Sequence, residues 1–336
     1  MSLPPRKIGN ALVNPIGFGV MGISIVAYGS IESDDEERLK VLDAAYAKGC
    51  NHWDSANVYG DSEVLIGKWL KRTGKRNEIF LATKFGGTPQ GIRGDPEHVR
   101  EQCLKSLERL STDYIDLYYQ HRVDSKVPIE LTVGAMAELV KEGKVKYLGL
   151  SECSAEDMRR AHAVHPISAI QVEFSPFVLD IEDEKLAILK TARELGITIV
   201  AYSPLARGLV TGRYRSIDDL GPDDYRRTIP KYQKENFPKI VEAVEHLQAI
   251  GTKHSATAGQ VTLAWVLAQG EDFVVIPGTK KVKYIEENAG AANVKLSAEE
   301  IASIRAIAEE ANKIPGTRYN EAGMQMVSVT SPPLQK

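Results

Sequence analysis

Four residues of this chain have the types needed to move a proton to or from a carbonyl oxygen: Asp54, Tyr59, Lys84 and His121. Asp54 and Tyr59 share the stretch Asn51-His52-Trp53-Asp54-Ser55-Ala56-Asn57-Val58-Tyr59-Gly60. Lys84 closes the apolar run Ile79-Phe80-Leu81-Ala82-Thr83, and His121 follows Tyr114-Ile115-Asp116-Leu117-Tyr118-Tyr119-Gln120. A free tyrosine has a pKa of about 10, too high for easy proton exchange at neutral pH. A lysine ammonium nearby favours the phenolate and brings that value down. An aspartate would pair with the lysine and hold it in place, and a histidine would donate to the carbonyl oxygen and orient it. Taken singly, each residue has a structural use. Asp54 could cap a helix beginning near Asp61, Tyr59 could be a half-buried aromatic, Lys84 a solvated strand end and His121 a loop histidine. Their order at successive strand ends is what argues for chemistry.

Eight apolar runs of strand length alternate with longer amphipathic segments: Pro15–Gly19, Cys50–Asp54, Ile79–Lys84, Tyr114–Tyr119, Val145–Leu150, Ala169–Glu173, Thr198–Tyr202 and Phe273–Pro277. Several are continuously apolar, as strands buried on both faces are. The pattern predicts an α/β fold, a (β/α)8 TIM barrel spanning residues 1–336 as one domain, in which the carboxyl ends of the strands converge on one face. Helix starts are marked by Ser33-x-x-Glu36, Ser154-x-x-Asp157, Thr257-x-x-Gln260 and Ser297-x-x-Glu300, which read as capping boxes or close variants. Asp95-Pro96 places an N-cap before a first-turn proline. Three segments exceed a minimal barrel. A long loop, Leu205 to about Asn236, follows the seventh strand and should overhang the active face, where long loops tend to be functional or mobile. Phe237–Ile250 reads as an added helix. The helix Ser297–Asn312 leads into an irregular tail from about 313.

Hydrophobic residues make up 43% and charged residues 26%, and the net charge is -3. That balance fits a globular protein and argues against a nucleic-acid surface, which is usually basic. No apolar stretch is long enough to span a bilayer, and the first residues lack the apolar core of a signal peptide, so a cytoplasmic location is expected. Cys50, Cys103 and Cys153 are scattered and odd in number, which suits reduced thiols. No metal site is expected: His162 and His165 find no third ligand by spacing. Gly17-Phe18-Gly19-Val20-Met21-Gly22 spells the GxGxxG dinucleotide fingerprint, but it runs into Ile23-Ser24-Ile25-Val26, not directly into a helix, so a Rossmann unit is not expected.

Trp53-Asp54-Ser55-Ala56-Asn57-Val58-Tyr59-Gly60, with Lys84 and His121, resembles the aspartate-to-histidine catalytic set of the aldo-keto reductases. The resemblance continues through Val145–Ser151, Gln171–Pro176, Ala201–Leu205 and Ile276–Lys280, and so runs along nearly the whole chain. Within the family, the Gly19–Ile23 start and Arg318-Tyr319 resemble the fungal pyridoxal reductase-like and plant perakine-type branch. The resemblance implies NADPH-dependent reduction of aldehydes, pyridoxal or aromatic aldehydes among them, and of some ketones, with Tyr59 as proton donor. It implies that NADP lies across the barrel mouth. Tyr202 would stack on the nicotinamide, Ser151 and Gln171 would hold the carboxamide, and Ser203, Leu205 and Gly208 would wrap the pyrophosphate. Thr279 and Lys280 would meet the 2′-phosphate, and Glu287 and Asn288 would lie near the adenine. Gly19, Met21 and Arg207 complete the implied contacts, together with Glu152, which stands where many members have asparagine. Gly278 and Tyr284 replace basic residues of other branches, with Lys280 and Lys281 still in reach. The implied partner is a small carbonyl substrate and the implied state a monomer, with no nucleic acid and no membrane. The same resemblance admits an alternative, a cofactor-loaded regulatory subunit of channel-beta type with little turnover. For the substrate pocket, Leu205–Asn236, the tail after Lys313, Val26–Ser30 and Gly86–Arg93 are the expected walls. Arg226, Arg227 and Lys231 are candidates to receive an anionic group or to be solvated.

Overall fold

The computed structural model describes residues 3–29 and 34–335. Eight strands pair in chain order, all in parallel: β1 (Phe18–Gly19), β2 (His52–Asp54), β3 (Phe80–Phe85), β4 (Ile115–Gln120), β5 (Val145–Ser151), β6 (Ile167–Glu173), β7 (Thr198–Tyr202) and β8 (Phe273–Val275). The first and last strands also meet. Ile16 pairs with Val275 and Gly19 with Gly278. The Gly17 amide donates to the Val275 carbonyl at 2.8 Å, and the Val275 amide donates to the Pro15 carbonyl at 2.9 Å. These bonds close the sheet into the expected TIM barrel.

The two-residue period of a strand sorts the side chains into two cores. Phe80 and Ala82 of β3 cluster with Leu117, Tyr119, Ala169, Val200, Val274 and Ile276, which fill the barrel. Residues of the other parity, such as Trp53, Leu81, Phe85, Tyr118, Ile170 and Ile199, pack outward in the larger core shared with the helices. An antiparallel hairpin, Arg6–Ile8 with Ala11–Val13, adds Ile8 and Val13 to the inner cluster. It sits at the amino ends of the strands, where the Thr198 hydroxyl donates to the Lys7 carbonyl at 2.7 Å. One end of the barrel is therefore plugged by apolar side chains, and the other is left for chemistry.

The helices are α1 (Asp35–Ala47), α2 (Ser62–Thr73), α3 (Pro96–Leu110), α4 (Ile129–Lys141), α5 (Ala155–Val164), α6 (Ile188–Glu194), α7 (Phe237–Lys253), α8 (Ala258–Leu267), α9 (Val282–Gly290), α10 (Ala298–Asn312) and α11 (Glu321–Met324). Local sequence explains most starts. Asp95 accepts from the His98 amide and Ser154 from the Asp157 amide, while Thr257/Gln260 and Ser297/Glu300 form full capping boxes. At α1 the cap is Asp34, which accepts from the Glu36 amide at 2.9 Å; Ser33 lies outside the described residues. The added helix α7 runs three residues past the expected end, to Lys253.

The GxGxxG run forms no helix beyond a single 3₁₀ turn, Met21–Ile23. Its glycines have another cause. A Cβ on Gly17 would stand 2.6 Å from the His52 carbonyl oxygen, and one on Gly19 would stand 2.7 Å from that of Ile276. Both are bare because β1 is wedged between β2 and β8 where the barrel closes.

The long loop after β7 is a chain of short 3₁₀ turns between Ala206 and Asn236. It buries Leu209, Val210, Ile217, Leu220, Ile229 and Tyr232, so it is a packed wall. The tail is also tied down. Ser331 donates through its amide and its hydroxyl to Asp157 and accepts from the Ile129 amide, and Arg160 donates to the Ser331 and Pro332 carbonyls.

Candidate active site

The inward parity that places apolar groups in the barrel continues, at the carboxyl ends, into polar residues. Asp54 follows His52 on β2, Lys84 follows Phe80 and Ala82 on β3, and Gln171 follows Ala169 on β6. Ser151 and Tyr202 end β5 and β7. Lys84 and Asp54 are fully buried and form an ion pair, and the Lys84 ammonium also donates to the Ser55 carbonyl at 2.7 Å. The other Asp54 oxygen accepts from Gln171 Nε2 at 2.8 Å. A buried ammonium needs such partners, since an unpaired charge away from water is costly.

Tyr59 leans over this pair. The Lys84 ammonium lies 4.9 Å from the centre of its ring, within cation–π range. The His121 ring meets Tyr59 edge-on, with centroids 5.6 Å apart and planes at 86°. Burial, then the charges of Arg122 and Lys84, hold the His121 imidazole well below its usual pKa. It is therefore neutral at physiological pH, with one N–H to give. His52, one layer further in, is likewise neutral, with burial taking its pKa down to about 4.

These groups open on a cavity of about 490 Å³. Asp54, Tyr59 and His121 line one end; Lys84 lies behind them. Of the residues expected to touch the cofactor, Gly19, Met21, Ser151, Gln171, Tyr202, Ser203, Leu205, Arg207, Gly208, Thr279, Lys280, Glu287 and Asn288 all line the cavity. The turn after β7 is strained there: Ser203, Ala206 and Arg207 have φ of +47°, +47° and +55° without being glycine. Such conformations cost about 1–3 kcal/mol each and gather at functional sites. Arg213, Lys280, Lys281 and Arg226, the last paired with Asp224, also line the cavity. Burial, then Lys281, Arg213 and Arg226, lower the pKa of the Lys280 ammonium. A cluster of like charges in a cavity wall suits a multiply charged anion such as a phosphate.

Several expectations are corrected. Glu152 does not line the cavity. Its carboxylate accepts from Arg318 at 2.7 and 3.1 Å, from the Tyr202 hydroxyl at 2.8 Å and from the Glu173 amide at 3.0 Å. Burial opposes its ionisation, but the Arg318 charge prevails and holds its pKa below the ordinary value. Glu152 thus ties the tail to the barrel. Arg226 pairs with Asp224 at 2.7 Å and donates to the Arg207 carbonyl, Arg227 donates to the Ile217 and Leu220 carbonyls, and Lys231 to the Phe177 carbonyl at 2.7 Å. Arg227 and Lys231 are absent from the cavity wall. Gly86–Arg93 supplies none of the lining; it holds a two-stranded hairpin, Gly87–Thr88 with Gly91–Ile92. The sequence reading passed over Arg122 and singled out Tyr319 only as a branch marker, yet both line the cavity. Arg122 was signalled by its place directly after His121. Tyr319 comes from the tail, and its hydroxyl lies 2.8 Å from that of Tyr202. Among the described residues no group of three or more metal-ligating side chains is present, and no helix is long and apolar enough to cross a membrane.

A closed parallel barrel with Tyr59, His121 and a buried Lys84–Asp54 pair gathered at a cavity on its carboxyl face has the architecture of a TIM-barrel enzyme. Residues 15–309 match the model of the Aldo/keto reductase family. The chain is 69% identical to aldo-keto reductase str7 of Strobilurus tenacellus, over 97% of this chain and 98% of that one. It is 48% identical to aldo-keto reductase yakc (NADP+) of Schizosaccharomyces pombe, over the full length of both. Among solved structures, the glycerol dehydrogenase AKR11B4 from Gluconobacter oxydans superposes with a TM-score of 0.84 at 27% identity, covering 94% of this chain and 98% of that one. The thermostable aldo-keto reductase Tm1743, solved with the inhibitor epalrestat, gives 0.73 at 29% identity, covering 91% and 99%. The chain belongs to the aldo-keto reductase family. It is an NADP(H)-dependent oxidoreductase acting on carbonyl compounds.

Proposed function

We propose that this enzyme reduces aldehydes, aromatic or pyridoxal-like ones included, and some ketones, with Tyr59 as the proton donor. The observation that carries the reading is the stack at one end of the cavity: Tyr59 against neutral His121, with the buried Lys84–Asp54 pair beneath the tyrosine ring. NADPH supplies the hydride when bound. The cavity residues suit it: the cationic cluster at Lys280 would take its 2′-phosphate, and the strained turn at Ser203–Gly208 its pyrophosphate. Ser151 and Gln171 would hold the carboxamide, with Tyr202 as the stacking platform. His121 then gives its one N–H to the carbonyl oxygen and fixes its direction. Tyr59 releases its proton to the same oxygen as negative charge develops there. Lys84 stabilises the tyrosinate left behind, and Asp54, steadied by Gln171, keeps Lys84 in place. The reading treats residues 1–336 as one barrel domain with a tail from about 313. It also takes the protein as a cytosolic monomer, a location supported by three buried free cysteines, which a reducing compartment preserves.

The test is turnover of NADPH with pyridoxal and with 4-nitrobenzaldehyde, wild type against Tyr59→Phe. General acid help is worth about 10²–10⁴-fold, so kcat should fall by that factor while NADPH affinity holds. A Tyr59→Phe enzyme with unchanged kcat would remove the tyrosine from the mechanism. Tight NADPH binding with no wild-type turnover of either aldehyde would favour the regulatory-subunit alternative.

A further inference from the structure

Arg122 directly follows His121 beyond β4 and lines the catalytic end of the cavity. Its Nη1 donates to the His121 carbonyl at 2.7 Å and reaches the Ser151 hydroxyl at 3.4 Å. A guanidinium carries five N–H donors; among the described residues these are its only hydrogen-bond partners. No described carboxylate lies within 4.0 Å of it. The other partly or fully buried arginines of this region are matched to acids: Arg207 with Glu173, Arg226 with Asp224, and Arg318 with Glu152, Glu173 and Asp180. Glu152 is close enough to act on Arg122 electrostatically, but its oxygens are already engaged by Arg318, Tyr202 and the Glu173 amide. Tyr59, Tyr202 and Tyr319 are the other groups that act on it. The arrangement is a partly buried, permanent cation beside three tyrosine hydroxyls, with no carboxylate of its own. It stands directly after His121, beside the residues that handle the carbonyl.

We propose that Arg122 is a specificity-determining residue that receives a carboxylate carried by the substrate, so that the preferred substrates are carbonyl compounds bearing a carboxylate. The proposal rests on the reading that Tyr59 and His121 handle the carbonyl. A carboxylate supplies two acceptor oxygens, and the planar fork of a guanidinium meets them in parallel. Desolvation strengthens the pair, because the surrounding phenols compete for the cation less well than water does. Replacing the carboxylate by its methyl ester removes the charge; the ester also withdraws more strongly from the aldehyde, an electronic bias against the acid that wild type and variants share and that cancels when their ratios are compared.

The experiment compares 3- and 4-carboxybenzaldehyde with their methyl esters as substrates of the NADPH-loaded enzyme, for wild type, Arg122→Met and Arg122→Lys. The ratio of kcat/KM, acid over ester, is the readout, so any loss common to both compounds cancels. A charge-assisted contact corresponds to about ten- to a hundredfold in that ratio. In wild type the ratio should favour the acid by at least about tenfold for one regioisomer. It should collapse in Arg122→Met and survive in part in Arg122→Lys. If Arg122→Met does not fold, Arg122→Gln takes its place against Arg122→Lys. A wild-type ratio near one for both regioisomers overturns the proposal, as does a preference that persists without the cation. It is also overturned if the variant loses activity equally on acid and ester while its NADPH dissociation constant rises, which would assign Arg122 to the cofactor through Ser151. Wild-type enzyme that reduces neither esters nor acids would instead defeat the underlying carbonyl-reductase reading.

Discussion

Replacing Arg318 by methionine removes the cation that holds the tail against the barrel mouth. The Arg318 side chain is 7% exposed and makes charge-assisted bonds to Glu152, 3% exposed, and Glu173, 0% exposed. It also reaches Asp180, 44% exposed, and the Tyr202 hydroxyl at 3.3 Å. The Asp180 bond faces water and adds at most about 1 kcal/mol. The two buried carboxylates decide the magnitude. Without Arg318, among the described residues Glu173 keeps the bond from Arg207, and Glu152 keeps a tyrosine hydroxyl, one amide and the more distant charge of Arg122. Breaking a buried ion pair by deleting one partner costs about 3–5 kcal/mol, most of it from the stranded charge. With an unfolding entropy of about 2.1 cal/mol/K per residue over 336 residues, the midpoint of thermal unfolding should drop by roughly 4–7 °C. The second variant isolates the cause. Glu152→Gln in the Arg318→Met background removes one stranded charge and should recover part of the loss, a coupling of about 0.5–3 kcal/mol. Thermal and urea melts of wild type, both singles and the double complete the cycle. A single variant within about 1 kcal/mol of wild type, or a double variant with purely additive loss, would refute the view that buried charge, and not packing alone, binds the tail.

Two further outcomes follow from the same structure. Burial lowers the His52 pKa from 6.5 to about 4, and burial also lowers His98 and His121. Below pH 6.5 the unfolded chain takes up protons that the native state refuses, so stability is full above that pH and is lost as pH falls toward 4. The His52 share alone is about 2 kcal/mol by about pH 5, and a urea midpoint that stays flat from about pH 7 to about pH 5 would contradict it. Gly17→Ala places a methyl 2.6 Å from the His52 carbonyl oxygen and should cost about 1–3 kcal/mol of stability. NADPH affinity measured well below the melting range should not change; a stable variant with weakened NADPH binding would contradict a purely packing role for Gly17.

Much of the barrel was legible because its signals are local. Each apolar run carries its own strand length, each helix its own cap, and period-two alternation then sets which strand-end residues face inward. That parity places Asp54, Lys84, Ser151, Gln171 and Tyr202 on one side of the sheet before any tertiary contact is known. What only the tertiary structure decided is which charges are spent. Arg226, Arg227 and Lys231 were the candidates to receive an anion, yet Arg227 and Lys231 are turned onto backbone carbonyls and Arg226, though it lines the cavity, is paired with Asp224. Glu152 looked like a cofactor contact until Arg318, 166 positions away in the chain, claimed it. The non-helical run after the glycines of the GxGxxG stretch already argued against a nucleotide motif, but their actual cause, the approach of the His52 and Ile276 carbonyls, comes only with barrel closure. Partnership of buried charges and close approach of backbones depend on pairs far apart in sequence, and folding alone brings those pairs together.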